Sequence, residues 1–257
     1  MADLERRTQY GQATAANADI DQGLRSYMLS VYNYMALGLA LTGLAAYFVF
    51  NFTTTGDATQ GVAQVREGLY LTQFGATVWT GPLKWLFMLA PLGLVFFLSF
   101  RVHKMSVSAA QITFWVYAAL VGVSISTVLL IYTSESVVRT FFITSAAFAS
   151  LSLYGYTTKR SLSGMGSFLM MGLFGIIIAM VVNIFLQSSA LQFAISGLGV
   201  LIFAGLTAYD TQQIKEMYFE GDDATTQGRK AIMGALRLYL DFINMFMFLL
   251  QFLGNRE

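Results

Sequence analysis

Two aspartates stand in strongly apolar sequence near the C-terminal end of this 257-residue chain. Asp210 follows Tyr209 at the end of one apolar stretch, and Asp241 lies inside the next one. A carboxylate in hydrocarbon is costly, so acids in such stretches normally face a partner or a water-filled cavity and indicate function. Two carboxylates held close together in a medium of low dielectric cannot both ionise at low cost, and such a pair can share a proton. The two acids therefore predict a proton sensor that needs no histidine.

The same two side chains, when ionised, offer oxygen ligands to a hard cation such as Ca²⁺. Two carboxylates fall short of the roughly 6–8 oxygens that form a tight calcium site. We therefore expect Asp210 and Asp241 to bind a passing calcium ion transiently, and we expect no cofactor. Tyr209, Asn244 and Arg237 are predicted to support the pair, because Tyr209 adjoins Asp210 and the other two lie within one turn of Asp241.

A structural interpretation of the acids stays open beside the functional one. Arg237, one helical turn before Asp241, could neutralise it as an i, i+4 pair. Asp210 could likewise lie at the level of the lipid headgroups with Lys215 nearby. Asp241 and Asn244, three residues apart, share a helical face, and with Phe248 they predict the inward side of their helix.

The composition indicates a polytopic membrane protein. Hydrophobic residues make up 56% of the chain, charged residues only 11%, and the mean hydropathy is +0.61. A soluble domain carries about a quarter charged residues. The net charge of +1 gives no basic surface that would indicate nucleic acid, and the absence of cysteine excludes disulfides and thiol chemistry. Residues 1–26 are polar and lack an apolar core followed by a cleavage site, so they are predicted to be a cytosolic tail and not a signal peptide.

Residues 27–257 are predicted to form one all-α transmembrane domain with seven helices. A crossing needs about 20 apolar residues. Seven stretches meet that length, near 27–50, 83–100, 109–132, 137–156, 167–187, 191–210 and 234–253. The loop at 51–82 is the longest and is expected to be exposed. Pro82 is expected to open the second span and Pro91 to kink it.

Lys and Arg are distributed unevenly between the two sides of these spans. Ten lie on the side of the N-terminus, and these are Arg6, Arg7, Arg25, Arg101, Lys104, Lys159, Arg160, Lys215, Arg229 and Lys230. Four lie on the other side, and these are Arg66, Lys84, Arg139 and Arg256. The bias predicts a cytoplasmic N-terminus and, after seven crossings, a C-terminus outside.

Membrane enzymes and photoreceptors fit the sequence poorly. The last span has no lysine for a retinal Schiff base, and no span holds the histidine of a rhomboid-type protease. Intramembrane aspartyl proteases carry their second aspartate in Gly-x-Gly-Asp, followed by Pro-Ala-Leu. Here that aspartate follows Leu238-Tyr239-Leu240, and the only prolines are Pro82 and Pro91. We therefore expect no catalytic activity.

These residues resemble those of the transmembrane Bax inhibitor motif family, also called the Bax inhibitor-1 family. The likeness covers about 100–255 and is carried by two motifs, Tyr209-Asp210-Thr211-Gln212-x-Ile214 and Leu238-Tyr239-Leu240-Asp241-Phe242-Ile243-Asn244. Supporting likenesses are Gly122-Val123-Ser124-Ile125-Ser126, the basic pair Lys159-Arg160, and Arg101 at the end of the second span, where bacterial members place an arginine.

The resemblance implies a fold in which helices one to six surround a central helix seven. It implies a pH-sensitive calcium leak in a bacterial inner membrane, with Asp210 and Asp241 as the sensor and with Arg101 as a latch able to pair with Asp210. From the sequence alone, Arg101 could equally extend to the membrane surface as an ordinary helix-end residue. Some bacterial relatives are linked instead to the restraint of a membrane-anchored protease, which would be a binding role without transport.

Overall fold

The computed structural model describes residues 2–255, and within the first helix it describes side chains from Gln22 onward. Seven of the described helical stretches are long and apolar enough to cross a membrane, which confirms the all-α polytopic fold. These stretches are Gln22–Thr53, Leu83–Lys104, Val107–Ile131, Ser134–Thr157, Ser163–Leu186, Ser189–Glu216 and Ala224–Leu253. Most of the predicted cytosolic tail at 1–26, with Arg6 and Arg7, lies outside the residues whose side chains are described, as does Arg256.

The helices and strands follow one another in a simple order. They are α1 (Ala2–Thr53), β1 (Thr54–Thr55), β2 (Ala63–Arg66), β3 (Leu69–Leu71), α2 (Gln73–Trp79), α3 (Leu83–Arg101), α4 (Val107–Ile125), α5 (Val128–Ile131), α6 (Ser134–Thr157), α7 (Ser163–Leu186), α8 (Ser189–Glu216) and α9 (Ala224–Leu253). A 3-10 turn at Val102–Lys104 follows α3, which begins directly after Pro82.

Among the helix bounds that differ from those predicted, two concern the acids. Asp210 was predicted to end its helix, but α8 continues to Glu216. Asp241 was predicted to lie about two turns into its helix, but α9 begins at Ala224, nearly five turns earlier. Apolar sequence marks only the part of a helix inside the membrane, whereas the helix itself ends where its backbone is capped. Asp223 provides that cap for α9, since its side chain accepts a hydrogen bond from the amide of Thr225.

The loop at 51–82 contains secondary structure that the sequence did not predict. Its three short strands form an antiparallel sheet in the order β1-β3-β2, and α2 follows the sheet directly. Asp57 holds the turn before β2, because its carboxylate accepts hydrogen bonds from the amide and the hydroxyl of Thr59. These bonds lower the pKa of Asp57. Strands of two to four residues are too short to leave a periodic signal in the sequence.

The last helix is the most buried of the seven. Its principal neighbours are α8, α1, α6 and α4, while α3 packs chiefly against α4 and α7 chiefly against α8. Four of the six other spanning helices therefore form its main contacts. Tyr239 of α9 is fully buried and meets the rings of Phe114 and Tyr117 edge-on, each with its centroid 5.7 Å away. Such edge-to-face aromatic pairs add to the packing energy.

Basic side chains gather at one end of the bundle and bind the carbonyl groups of its turns. Lys215 donates to the carbonyl of Tyr156, Arg229 to those of His103 and Met105, and Lys230 to that of Met217. Cations are favoured at the C-terminal ends of helices, where unpaired carbonyls concentrate. The turns after α3, α6 and α8 therefore lie at the same end, as the count of Lys and Arg requires.

The orientation of that end is a prediction. A reporter inserted in the loop at 157–166 should lie in the cytoplasm, and one fused after Glu257 should lie outside, because ten Lys and Arg face one side against four on the other. The measurement is a pair of fusions to enzymes active on only one side of the membrane. If both fusions reported the same side, the chain could not cross the membrane an odd number of times between the loop at 157–166 and Glu257, as the seven-helix arrangement requires.

The cap of α9 gives a prediction for pH. Hydrogen bonds from the hydroxyl of Thr226 and from the amides of Thr225 and Thr226 lower the pKa of Asp223 below its ordinary value of 3.8. A lowered pKa adds stability that is present above the ordinary value and is lost as the pH falls through the folded-state value. Asp223→Ala should therefore lower the melting temperature of the detergent-solubilised protein at pH 7 and lower it less near pH 3. If Asp223→Ala lowered the melting temperature equally at pH 7 and near pH 3, the cap would not depend on the ionised form of Asp223.

Candidate functional site

The two acids are brought together by the packing of α8 against α9. Their carboxyl groups lie close enough for the charge of one to act strongly on the other. Asp241 is only 4% exposed, whereas Asp210 is half-buried. The sequence placed both acids in apolar helices, and the structure places them against each other.

One oxygen of this pair has no ordinary donor. Oδ2 of Asp241 is buried and has no hydrogen-bond partner within the described part of the chain. A buried oxygen without a donor is costly. A proton held by either carboxyl group supplies a donor to the other, so the arrangement has a place for one shared proton.

Arg237 is the cation that acts on both acids. Its charge lies near enough to interact with Asp210 and Asp241, although among the residues that the structure describes it forms no direct ion pair with either acid. Its side chain is exposed, although its neighbours Leu236 and Leu238 are 2% and 0% exposed. A guanidinium near the middle of a spanning helix is not stable in lipid, so this exposure indicates contact with water or with the headgroup region.

The other predicted site residues lie at varying distances from the pair. Arg101 is exposed at the end of α3 and makes no ion pair with Asp210 within the described residues, so the latch stays a prediction. Lys215 binds the carbonyl of Tyr156 and its ring, so it is directed toward α6. Tyr209 packs against Gly166 of α7. Asn244 is half-buried, so the predicted inward face is buried at Asp241 and Phe248 but partly open between them.

No cluster of three His, Cys, Asp or Glu side chains is present in the described part of the chain. The acids thus offer a cation two carboxylates and no third acidic ligand. A site of this kind suits brief coordination of a calcium ion that keeps most of its water, rather than tight storage.

Comparison with known sequences identifies the family of this chain. The sequence profile described as "Inhibitor of apoptosis-promoting Bax1" matches residues 24–257. The chain belongs to the Bax inhibitor-1 family. The match includes both aspartate motifs and all seven spanning helices except the first two residues of the first.

Bacterial members of the Bax inhibitor-1 family match nearly the whole chain. An uncharacterized protein of Rickettsia prowazekii is 48% identical over 95% of this chain and 95% of its own length. An uncharacterized protein of Caulobacter vibrioides is 47% identical over 95% of both chains. The inner membrane protein YbhL of Escherichia coli is 42% identical over 91% of this chain and 94% of its own. The protein is accordingly an integral membrane protein of this family.

Sequence reasoning missed a chain of hydroxyl groups beside the acids. The hydroxyl of Tyr32 on α1 lies 2.6 Å from that of Ser152 on α6, which lies 3.0 Å from that of Thr211 on α8. Thr211 adjoins Asp210 and donates to the carbonyl of Thr207. A cavity of about 560 Å³ between α1 and α6 opens onto Tyr32 and Ser152. Small polar residues in three separate helices give no local motif, so only their juxtaposition identifies them.

A second missed feature is Gln212, two residues after Asp210. Its amide oxygen accepts from the backbone of Leu162 at 2.7 Å, and its amide nitrogen donates to the carbonyl of Arg160 at 2.9 Å. Gln212 therefore ties the turn between α6 and α7 to the helix that carries Asp210. Gln212 itself belongs to the Tyr209–Ile214 motif. Its partners are backbone groups of Arg160 and Leu162, and no sequence motif identifies backbone groups as partners.

Close contact between α6 and α8 sets the position of Asp210. Gly155 of α6 lies against the backbone of Ala208, and a Cβ atom added at Gly155 would collide with the carbonyl oxygen of Ala208. Small residues let helices approach closely in membranes, where packing replaces the hydrophobic effect.

Gly155→Ala should therefore lower the free energy of unfolding by about 1–3 kcal/mol, because the helices must separate to admit the methyl group. Gly175→Ala is the matched control, since nothing lies within 4 Å of a Cβ atom added there. Thermal unfolding in detergent measures both variants. Equal melting temperatures for the two would show that the contact between α6 and α8 is not tight.

Proposed function

We propose that this protein is a pH-sensitive calcium leak channel of a bacterial inner membrane, with Asp210 and Asp241 as its proton sensor. The observation that carries the proposal is the position of the two acids where α8 packs against α9, with Asp241 buried and its Oδ2 without a hydrogen-bond partner in the described part of the chain. The name of the Escherichia coli relative supports the inner membrane as its location.

The sensor works through two charge states of the pair. With one proton between them, the carboxyl groups bind each other, satisfy Oδ2 of Asp241 and hold α8 against α9. With both ionised, they repel each other in a medium of low dielectric and attract any cation within reach. The proton and the calcium ion thus compete for the same oxygens, and the outcome shifts the packing of α8 on α9.

Calcium is the substrate in this proposal and not a resident cofactor. Hard cations prefer oxygen ligands, and carboxylates bind them most strongly when ionised. Two carboxylates, one of them half-buried, provide a site that a calcium ion can enter and also leave. Conduction requires both properties, because an ion that binds too tightly blocks the path.

The proposal is tested by reconstituting the purified protein alone into liposomes. Calcium entry should be measured with a trapped fluorescent indicator at several pH values, and it should exceed entry into protein-free liposomes and change with pH. Liposomes with the Asp210→Asn/Asp241→Asn double variant at equal protein content control for nonspecific leakage. Calcium entry no faster than in protein-free liposomes would exclude the leak and would favour the role of a regulatory binding protein.

A further inference from the structure

A row of polar side chains follows one face of α9 through the membrane. Lys230, Arg237, Asn244 and Gln251 are spaced every seven residues, and we call them the α9 polar stripe. Seven residues return to nearly the same face of a helix, with a drift of about 20°. The stripe spans 21 residues, or about 32 Å at 1.5 Å per residue, which is the thickness of the hydrocarbon core of a membrane.

The stripe is open along its length. Arg237 is exposed, and the other three side chains are half-buried, whereas Leu236 and Leu238 on either side of Arg237 are buried. Asn244 donates to the carbonyl of Leu240 at 2.8 Å, and its own amide oxygen accepts no hydrogen bond from the described part of the chain. Polar groups at this depth are stable only against protein partners or water.

The outer end of the stripe joins a cluster of amide side chains. Gln192 donates to Oε1 of Gln251 at 2.8 Å, Asn183 donates to Oε1 of Gln192 at 3.1 Å, and Ser196 donates to Oε1 of Gln251 at 3.3 Å. We call Asn183, Gln192, Ser196 and Gln251 the amide cluster. It ties α7, α8 and α9 together about 15 Å along α9 from Asp241.

Two cavities meet at this cluster. One has a volume of about 430 Å³ and is lined by Asn183, Ser188 and Ser196, and the other has about 420 Å³ and is lined by Thr127, Tyr132 and Met247. Gln192 and Gln251 line both cavities, so the hydrogen bond between them stands where the two meet.

Every amide oxygen of the cluster accepts at least one hydrogen bond. Oδ1 of Asn183 accepts from the backbone of Ser188, Oε1 of Gln192 accepts from Asn183, and Oε1 of Gln251 accepts from Gln192 and Ser196. Amide oxygens are good ligands for hard cations only when they are free to replace water. In this arrangement the cluster presents N–H groups, which repel a cation. Breaking the bond from Gln192 to Gln251 would turn an oxygen toward the cavities.

We propose that the α9 polar stripe and the amide cluster form the outer half of a water-accessible cation path, which the hydrogen bond between Gln192 and Gln251 closes. The identity of the ion rests on the proposed calcium leak, but the existence of the path does not. The path begins at the acids, passes Asn244, and ends in the two cavities beside the turn between α7 and α8.

The chain contains no cysteine, so in a single-cysteine variant a thiol reagent can label only the introduced position. The rate of labelling then measures how accessible that position is to water. The Asn244→Cys variant should react with a charged, membrane-impermeant thiol reagent added on the side of the turn between α7 and α8. Adding the reagent to right-side-out vesicles and, separately, to inverted vesicles shows from which side of the membrane the cysteine is labelled. Ile178→Cys is the matched control, because Ile178 is 64% exposed on α7 and lies about two turns before Leu186, just as Asn244 lies two turns before Gln251. Labelling of Ile178→Cys as fast as that of Asn244→Cys would overturn the proposal.

The closing contact is tested by adding Gln192→Ala to the Asn244→Cys variant. Labelling should become faster by up to about tenfold, which corresponds to the loss of one hydrogen bond of ordinary strength. An unchanged labelling rate would overturn the closing role. Met247→Cys, which is half-buried and lines the 420 Å³ cavity, replaces Asn244→Cys if that variant does not fold.

The two proposals fail in different ways. Labelling of Asn244→Cys without calcium entry into liposomes would support the path and exclude the calcium leak. Calcium entry without labelling at either position 244 or position 247 would support the leak and exclude this path.

Discussion

Asp241→Asn should remove most of the pH dependence of calcium flux through the reconstituted protein, and Asp210→Asn should do the same. An asparagine carries N–H donors where a protonated aspartate carries one O–H donor, so either variant holds the pair in the equivalent of its shared-proton state. The remaining acid still ionises, but without a second carboxylate beside it the charge change no longer drives the two helices apart. Calcium flux measured between pH 5 and pH 8 tests both variants.

A control for this experiment is Glu220→Gln, which neutralises an exposed acid in the turn between α8 and α9. It should leave the flux and its pH dependence as in the wild type. The structural interpretation, in which Arg237 only neutralises Asp241, predicts a different result. Under that interpretation Asp241→Asn alone would matter, and it would act by lowering the melting temperature. If calcium flux through both variants depended on pH as it does in the wild type, proton sensing by the pair would be excluded.

Arg237→Gln should interact strongly with Asp210→Asn in a double-mutant cycle. Arg237 acts on both acids in the structure, and its charge is permanent, so what changes with pH is the charge that it faces. Removing Arg237 leaves the ionised pair without its cation, and this loss should be smaller in the Asp210→Asn variant, where only Asp241 can still ionise. Residues in one charge network show coupling of about 0.5–3 kcal/mol, and we expect a value in that range from thermal or denaturant unfolding.

The matched control for this cycle is Arg101→Ala with Asp210→Asn. Arg101 is exposed at the end of α3 and does not pair with Asp210 in the structure, so its effect on stability should add to that of Asp210→Asn within about 0.5 kcal/mol. The latch implied by the family resemblance predicts the reverse order, with strong coupling of Arg101 and weak coupling of Arg237. The two double-mutant cycles together decide which arginine, Arg101 or Arg237, interacts electrostatically with the acids in this protein.

The sequence alone predicted the class of protein and the residues of interest. Seven apolar stretches are visible without any contact information, because a membrane requires about 20 apolar residues in each crossing. Asp210 and Asp241 were identified for the same reason, since an acid is conspicuous wherever the surrounding residues are apolar. Both depend only on local composition, and the seven spans are confirmed.

The relation between helices was decided by tertiary packing. Hydropathy does not locate the ends of α8 and α9, because Gln212, Gln213 and Lys215 continue a helix as readily as apolar residues do. It also does not indicate that Arg237 is exposed while Asp241, one turn later, is buried, because rotation of α9 about its axis is set by contacts with α8, α1 and α6.

The α9 polar stripe illustrates both halves of this division. Its seven-residue spacing is present in the sequence, but a polar residue every second turn is also found on helices that merely face water. Gln251 meets Gln192 and Ser196 only because α8 crosses α9 there, and Asn183 joins them because α7 turns back at Gln187 in a left-handed conformation. A hydrogen-bonded cluster drawn from three helices depends on their mutual geometry, which local composition does not encode.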